Sequence, residues 1–127
     1  MYLGIDLGTS GVKVIILDDT DTLLAQATVA IDVSRPKPLW SEQNPQDWWN
    51  ATCEAIAEIK NANPSLLSQV TGVGIAGQMH GATLLDSDNN IIRPAILWND
   101  GRCEAECKEI EAREPNSRKI AGNIAMP

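Results

Sequence analysis

The chain has 127 residues, 43% of them hydrophobic and 21% charged, with a formal net charge of −7. That size holds one domain around one core, and the composition is that of an ordinary folded, soluble protein. The acidic balance excludes nucleic acid as a bulk partner, since phosphate-backbone binding relies on clustered Lys and Arg.

The chain opens on a strand, with Leu3, Ile5 and Leu7 alternating against Tyr2, Gly4 and Asp6. Gly8-Thr9-Ser10-Gly11 forms a short loop, and the apolar run Val12 to Asp19 predicts a second strand. "TLLAQATVAID" predicts a third, and "SRPKPLWSEQNP", punctuated by three prolines, is irregular. A helix follows: Asn44 suits the N-cap, Pro45 the first helical position, and Asp47 the positive end of the dipole. Trp49, Cys53, Ile56 and Ile59 fall at helical spacing and predict a stripe facing the core. The helix should fade near Asn61 to Pro64. "QVTGVGIAGQ" predicts a buried strand, "ATLLD" and "AILW" two more, and Arg102 to Arg113 a second, Glu- and Lys-rich helix. Strands first, then a helix, further strands and a helix amount to a mixed α/β sheet.

"GVGIAGQMHG", Gly72 to Gly81, matches the G-x-G-x-x-G spacing and contains the only histidine, His80. A dinucleotide turn needs a helix starting within the glycines and an acidic residue about 20 positions on. No helical period follows Gly77, and Asp86 and Asp88 come too early. The glycines therefore belong to a strand end, with Gln78, Met79 and His80 at the tip of an exposed loop. The other glycine loop, "DLGTSGVK", is not a P-loop, because a strand and not a helix follows it. It suits phosphate nonetheless. Two glycines let backbone N–H groups converge, Thr9 and Ser10 add hydroxyls, Lys13 adds charge, and Asp6 is an oxygen source for Mg²⁺. A plain hairpin turn with a capping Asp accounts for the same letters, and the residues alone leave both readings open.

No segment approaches the roughly 20 apolar residues of a membrane span, so no membrane partner is expected. "MYLGIDLG" has neither the basic nor the apolar region of a secretory signal. Three cysteines, Cys53, Cys103 and Cys107, are an odd number and suit a reducing compartment, so a cytoplasmic location is expected. Cys103 and Cys107 lie one helical turn apart but lack a second pair for a metal. Trp48 and Trp49 must face different ways, one to the core and one partly outward; Trp40 and Glu42 read as anchors for the helix entry.

Four motifs stand in a fixed order: the Asp6-to-Ser10 hairpin, "PLWSEQNPQDWW", "GIAGQMHGATLLD" and "ILWNDGR". Together they resemble the FGGY carbohydrate kinases, and within that family the members acting on D-xylulose. The resemblance implies an α/β, actin-like (ribonuclease-H-like) ATPase fold, with three antiparallel strands opening a five-stranded sheet flanked by helices. It implies that residues 1–127 are the N-terminal part of the sugar-binding domain. The C-terminal domain, the general base and the adenosine loops would then lie outside this chain. The implied reaction is ATP- and Mg²⁺-dependent phosphorylation of D-xylulose to D-xylulose 5-phosphate, with the 127-residue piece inactive alone. By position, Asp6 would organise Mg²⁺ and the γ-phosphate, and Gly8, Thr9, Ser10, Gly11 and Lys13 would lie against the phosphates. Gln78, Met79 and His80 would contact the sugar, and Trp98, Asn99, Asp100 and Arg102 would line the same cleft. Apolar surface meant for the absent parts makes self-association, for instance as a homodimer, an expectation. The alternatives are a sibling kinase for glycerol, gluconate or ribulose, and a non-catalytic actin-like binding module. Met79-His80 separates the first of these, because the glycerol members carry an Arg-Glu pair there.

Overall fold

Alternation in the opening strands decides the architecture. In the computed structural model, which describes residues 1–126, β1 (Tyr2–Leu7), β2 (Gly11–Leu17) and β3 (Leu23–Ala30) form an antiparallel meander. A two-residue strand β4 (Glu42–Gln43) leads into helix α1 (Pro45–Ala62) and a short turn of helix α2 (Pro64–Leu67). The chain then returns as β5 (Gly72–Gly77), parallel to β1, so the main sheet runs β3-β2-β1-β5. β6 (Ala95–Ile96) pairs with β4 in a second, two-stranded sheet, and helices α3 (Glu104–Arg113) and α4 (Ser117–Ala121) complete the chain. The antiparallel opening matches the sequence reading; the main sheet holds four strands among the described residues.

Leu3, Val12, Val14, Ile16 and Ala27 point to one face of the sheet, and α1 lies across it with Ala51, Ala55 and Ile59. Val12, Val14 and Ile16 are fully buried. Asn44 caps α1 as expected, its side chain accepting from the Gln46 N–H at 3.1 Å, with Pro45 in the first turn. Of the stripe that spacing suggests, Ile59 is buried and Ile56 packs against the core, but Trp49 and Cys53 do not. The helix buries Ala51, Thr52, Ala55 and Ile59, while Trp49 is 65% exposed and Cys53 is exposed. Periodicity rewards large apolar residues, but alanines let the helix approach the sheet closely. Trp48 is the partly buried member of the Trp pair, its indole N–H held at 3.0 Å by Gln43 Oε1.

β5 departs from expectation as well. Val73 is 61% and Ile75 77% exposed, although both share the α1 face with Leu3 and Ile5. α1 packs over β2 and β3, and β5 is the sheet's edge, so nothing described here covers it. "ATLLD" is not a strand of the sheet. Leu84 to Ile92 folds back as a small hairpin, closed by the Asp86 carboxylate accepting from the Asp88 and Asn90 N–H groups. "AILW" is a strand only at Ala95–Ile96. α3 buries no residue and carries the Glu104–Lys108 pair, and Glu111 pairs with Arg118 on α4, in keeping with a solvated face.

Candidate functional site

Because β1 and β5 are parallel, both end at the same edge of the sheet. The turn after β1 (Gly8 to Ser10) and the turn after β5 (Gln78 to Gly81) are therefore neighbours. Carboxyl ends of adjacent parallel strands are where open α/β sheets place their ligands. The two turns are bonded directly: Gln78 N–H donates to Leu7 O at 2.9 Å, and Thr9 Oγ1 donates to Gln78 Oε1 at 3.1 Å.

The first turn closes with Gly8 N–H donating to Gly11 O at 3.0 Å. The N–H groups of Thr9 and Ser10 have no partner among the described residues, which leaves two donors for an anion. Gly11 is there for close approach: a Cβ would sit 2.7 Å from Val29 O. Asp6 and Lys13 are cross-strand partners on the face opposite α1. Both are exposed, and with Ile15, Gly74 and Ala76 they line a hollow of about 550 Å³. Alternation thus points Lys13 to the side of Asp6.

The second turn exposes Met79 (66%) and His80, whose φ of +63° is left-handed. His tolerates that region better than most residues, but holding it there has an energy cost that the surrounding structure must offset. His80 lines a separate hollow of about 350 Å³ with Ile96, Trp98 and Ile124. Asp6 and His80 line different hollows and do not share one cavity; the Thr9–Gln78 contact joins the two turns themselves. Trp98, 52% exposed, donates its indole N–H to Thr9 Oγ1 at 3.1 Å, so the Thr9 hydroxyl is engaged on both sides.

Behind the turns lies an ion-pair network. Asp100 is 2% exposed. Its Oδ2 accepts from Ser41 N–H and Arg102 Nη2, both at 2.6 Å, and its Oδ1 from Arg102 N–H at 2.9 Å and Nε at 2.8 Å. Arg102 continues to Glu42 Oε1 at 2.8 Å, which also meets Arg93 at 2.6 Å. The guanidinium lies 3.7 Å from the centre of the Trp40 ring. The Arg102 hydrogen bond foremost, helped by the Ser41 and Arg102 amides and opposed by burial, holds the Asp100 carboxyl down to about 2. Asp100 raises Arg102 in turn. The resemblance puts Asp100 among the residues lining the sugar cleft; its oxygens accept from Ser41 and Arg102, and it fastens the Trp98 loop to the segment before α1. Trp40 and Glu42 are anchors, as expected.

Two residues escaped the sequence reading. Arg93 follows the Leu84–Ile92 hairpin directly and meets Glu42 from there. Gln43, 2% exposed, donates to Thr9 O at 2.7 Å and Asp32 O at 3.2 Å, and accepts from Trp48 and Gln78. Its only signal is a polar residue wedged between Glu42 and the helix cap.

The fold and these paired turns define the actin-like ATPase class. All of residues 1–127 match the N-terminal domain of the FGGY family of carbohydrate kinases, and the chain belongs to that family. It is 57% identical over 127 residues to the xylulose kinase of Escherichia coli (strain K12), spanning 100% of this chain and 26% of that one. A crystal structure of a xyloylose kinase from Brucella ovis superposes with a TM-score of 0.94 at 49% identity, over 99% of this chain and 26% of that one. The structure of a xylulose kinase from Rhodospirillum rubrum gives 0.86 at 30% identity, over 94% and 24%. The chain thus spans about a quarter of the length of the relatives it matches.

Proposed function

We propose that residues 1–127 form the first part of the sugar-binding domain of a kinase that transfers the γ-phosphoryl group of ATP, with Mg²⁺, to the terminal hydroxyl of D-xylulose. The supporting observation is the direct junction of the two turns: an anion-ready turn with free Thr9 and Ser10 N–H groups touches a turn carrying an exposed His80. The similarity to a 57%-identical xylulose kinase supports D-xylulose as the substrate.

The residues present fit the cofactors. Asp6 is an exposed carboxylate beside Lys13, and unpaired backbone donors lie one turn away. ATP would supply the transferable phosphoryl group, and Mg²⁺ would neutralise charge on it. Asp6 would hold the metal, directly or through its water, because ionised carboxylates are oxygen ligands. The Thr9 and Ser10 amides, with the conformational freedom of Gly8 and Gly11, would cradle phosphate oxygens. Lys13 would add positive charge on the same face. Gln78 and His80 would hydrogen-bond sugar hydroxyls, and the exposed face of Trp98 would pack against the carbon chain. Each of these acts by positioning and electrostatics, which is what phosphoryl transfer asks of a protein. The general base would come from outside these residues, and the kinase would work in the cytoplasm.

The test is a phosphorylation assay of the complete kinase against D-xylulose, ribulose, gluconate and glycerol. Turnover of D-xylulose with a kcat/KM at least tenfold above the others is expected. A preference for another polyol would refute the substrate, and no turnover of any would refute the kinase reading. The isolated 127-residue chain is expected to show no turnover.

A further inference from the structure

The hydrogen bonds around Gln43 have only one consistent direction. Thr9 O and Asp32 O are acceptors only, so the Gln43 Nε2 group must face them, at 2.7 Å and 3.2 Å. The Trp48 indole is a donor only, so Oε1 must face it, at 3.0 Å. Gln78 must then present Nε2 to Gln43 Oε1 (3.1 Å) and Oε1 to Thr9 (3.1 Å). The Thr9 hydroxyl gives its single proton to Gln78 and accepts from Trp98 Nε1 (3.1 Å). A one-way chain therefore runs from Trp98 through Thr9 and Gln78 to Gln43, and returns from Gln43 to the Thr9 carbonyl.

That return bond has a consequence for the anion turn. In a trans peptide the C=O and the following N–H point in opposite directions. Gln43 draws Thr9 O toward the buried side, so Ser10 N–H is turned outward. The same amide fixes Gln78, whose neighbours Met79 and His80 form the other turn.

We propose that Gln43 is a positioning residue that couples the sugar turn to the phosphate turn. This rests on the kinase reading above. A sugar that pulls on Gln78 or Trp98 shifts a chain whose far end sets the Ser10 N–H. Occupancy at one turn thereby changes the fit at the other. Gln43 is buried and would touch neither ligand. Its buried position leaves no water to replace a lost partner.

The test uses Gln43→Met, which keeps length and removes all four bonds, in the complete kinase. Mg-ADP affinity is titrated with and without a saturating amount of whichever polyol the wild type phosphorylates. Their ratio is the coupling factor, of the order of 5- to 150-fold when two sites communicate. We expect the variant to bring it to within twofold of one and to lower kcat at least tenfold, with a smaller change in sugar KM. Retained coupling in a folded variant, whatever its melting temperature, would overturn the proposal, as would a wild type without coupling. If Gln43→Met does not fold, Gln78→Met decides: it cuts the bonds from Gln78 to Gln43 and from Thr9 to Gln78, and unchanged coupling there at saturating polyol would equally overturn it. Using the preferred polyol keeps a wrong substrate distinct from a wrong coupling residue; only a complete absence of kinase activity removes both.

Discussion

Arg102→Met is the sharpest perturbation of the network behind the turns. It keeps the aliphatic stem and removes the charge that joins Asp100, Glu42 and Trp40. Removing one partner of a buried pair costs about 3–5 kcal/mol when the other is stranded. Here the Ser41 and Arg102 N–H groups still hold Asp100, and Arg93 still holds Glu42, so about 2–3 kcal/mol is expected. Loss of the stack on Trp40 adds about 0.5–1 kcal/mol. The pH dependence identifies the cause. Asp100 is lowered from 3.8 to about 2 on folding. Its contribution is therefore fully present above pH 3.8 and lost as pH falls toward 2. An upper figure of about 2 kcal/mol follows from that difference. Urea titrations followed by tryptophan fluorescence should show the variant about 3 kcal/mol less stable at pH 7, with the gap narrowing between pH 4 and pH 2.5. A loss below about 0.5 kcal/mol at pH 7, or a gap independent of pH, would refute the network as a stabilising device.

Three further outcomes are expected. Asp6→Asn in the complete kinase should lower kcat by about a hundredfold or more at saturating Mg²⁺, the order seen when a charge-stabilising group is lost; because Asp6 is exposed, the melting temperature should stay within 2 °C by calorimetry as a rough bound. His80→Ala should raise sugar KM more than nucleotide KM, and equal losses in a folded variant would count against a sugar contact. Gly11→Ala forces a Cβ against Val29 O and should destabilise by about 1–3 kcal/mol in chemical denaturation; an unchanged midpoint would show that the hairpin relaxes freely.

What the sequence disclosed follows from what periodicity measures. The β1–β3 meander, the Asn44 cap and the two glycine turns were legible because each is a local pattern: alternation, an N-cap before proline, glycine between strands. The α1 stripe is legible at Ile56 and Ile59 but not at its start, because the burial there belongs to Ala51 and Ala55, which carry little hydrophobic signal, while Trp49 carries much. "ATLLD" reads as a strand because two leucines outweigh the Asp86–Asn90 turn that folds them back into the Leu84–Ile92 hairpin. Among the candidate site residues, Asp6, Thr9 and His80 could be named from their motifs. The engagement of Asp100 with Ser41, 59 positions away, and of Gln43 with Gln78, 35 positions away, is a tertiary fact that no local window contains.

The reading of β5 as a buried strand can be put to a test of its own. Val73 and Ile75 sit on the same face as the core residues Leu3 and Ile5, yet stand 61% and 77% exposed because α1 stops short of them. An edge strand with a bare apolar face is an aggregation hazard unless something covers it. If this chain is the first part of a kinase domain, that cover comes from the rest of the domain. Ile75→Ser then has opposite signatures in two contexts. In the 127-residue chain it removes an exposed side chain, so stability should change by less than about 0.5 kcal/mol and self-association should fall. In the complete kinase it removes a buried one and should cost about 1.5–3 kcal/mol. Parallel urea melts and light scattering on both lengths make the comparison. Equal, small effects in both would mean that β5 remains an open edge in the whole protein, and that the apolar letters of "GVGIAG" serve neither core nor interface.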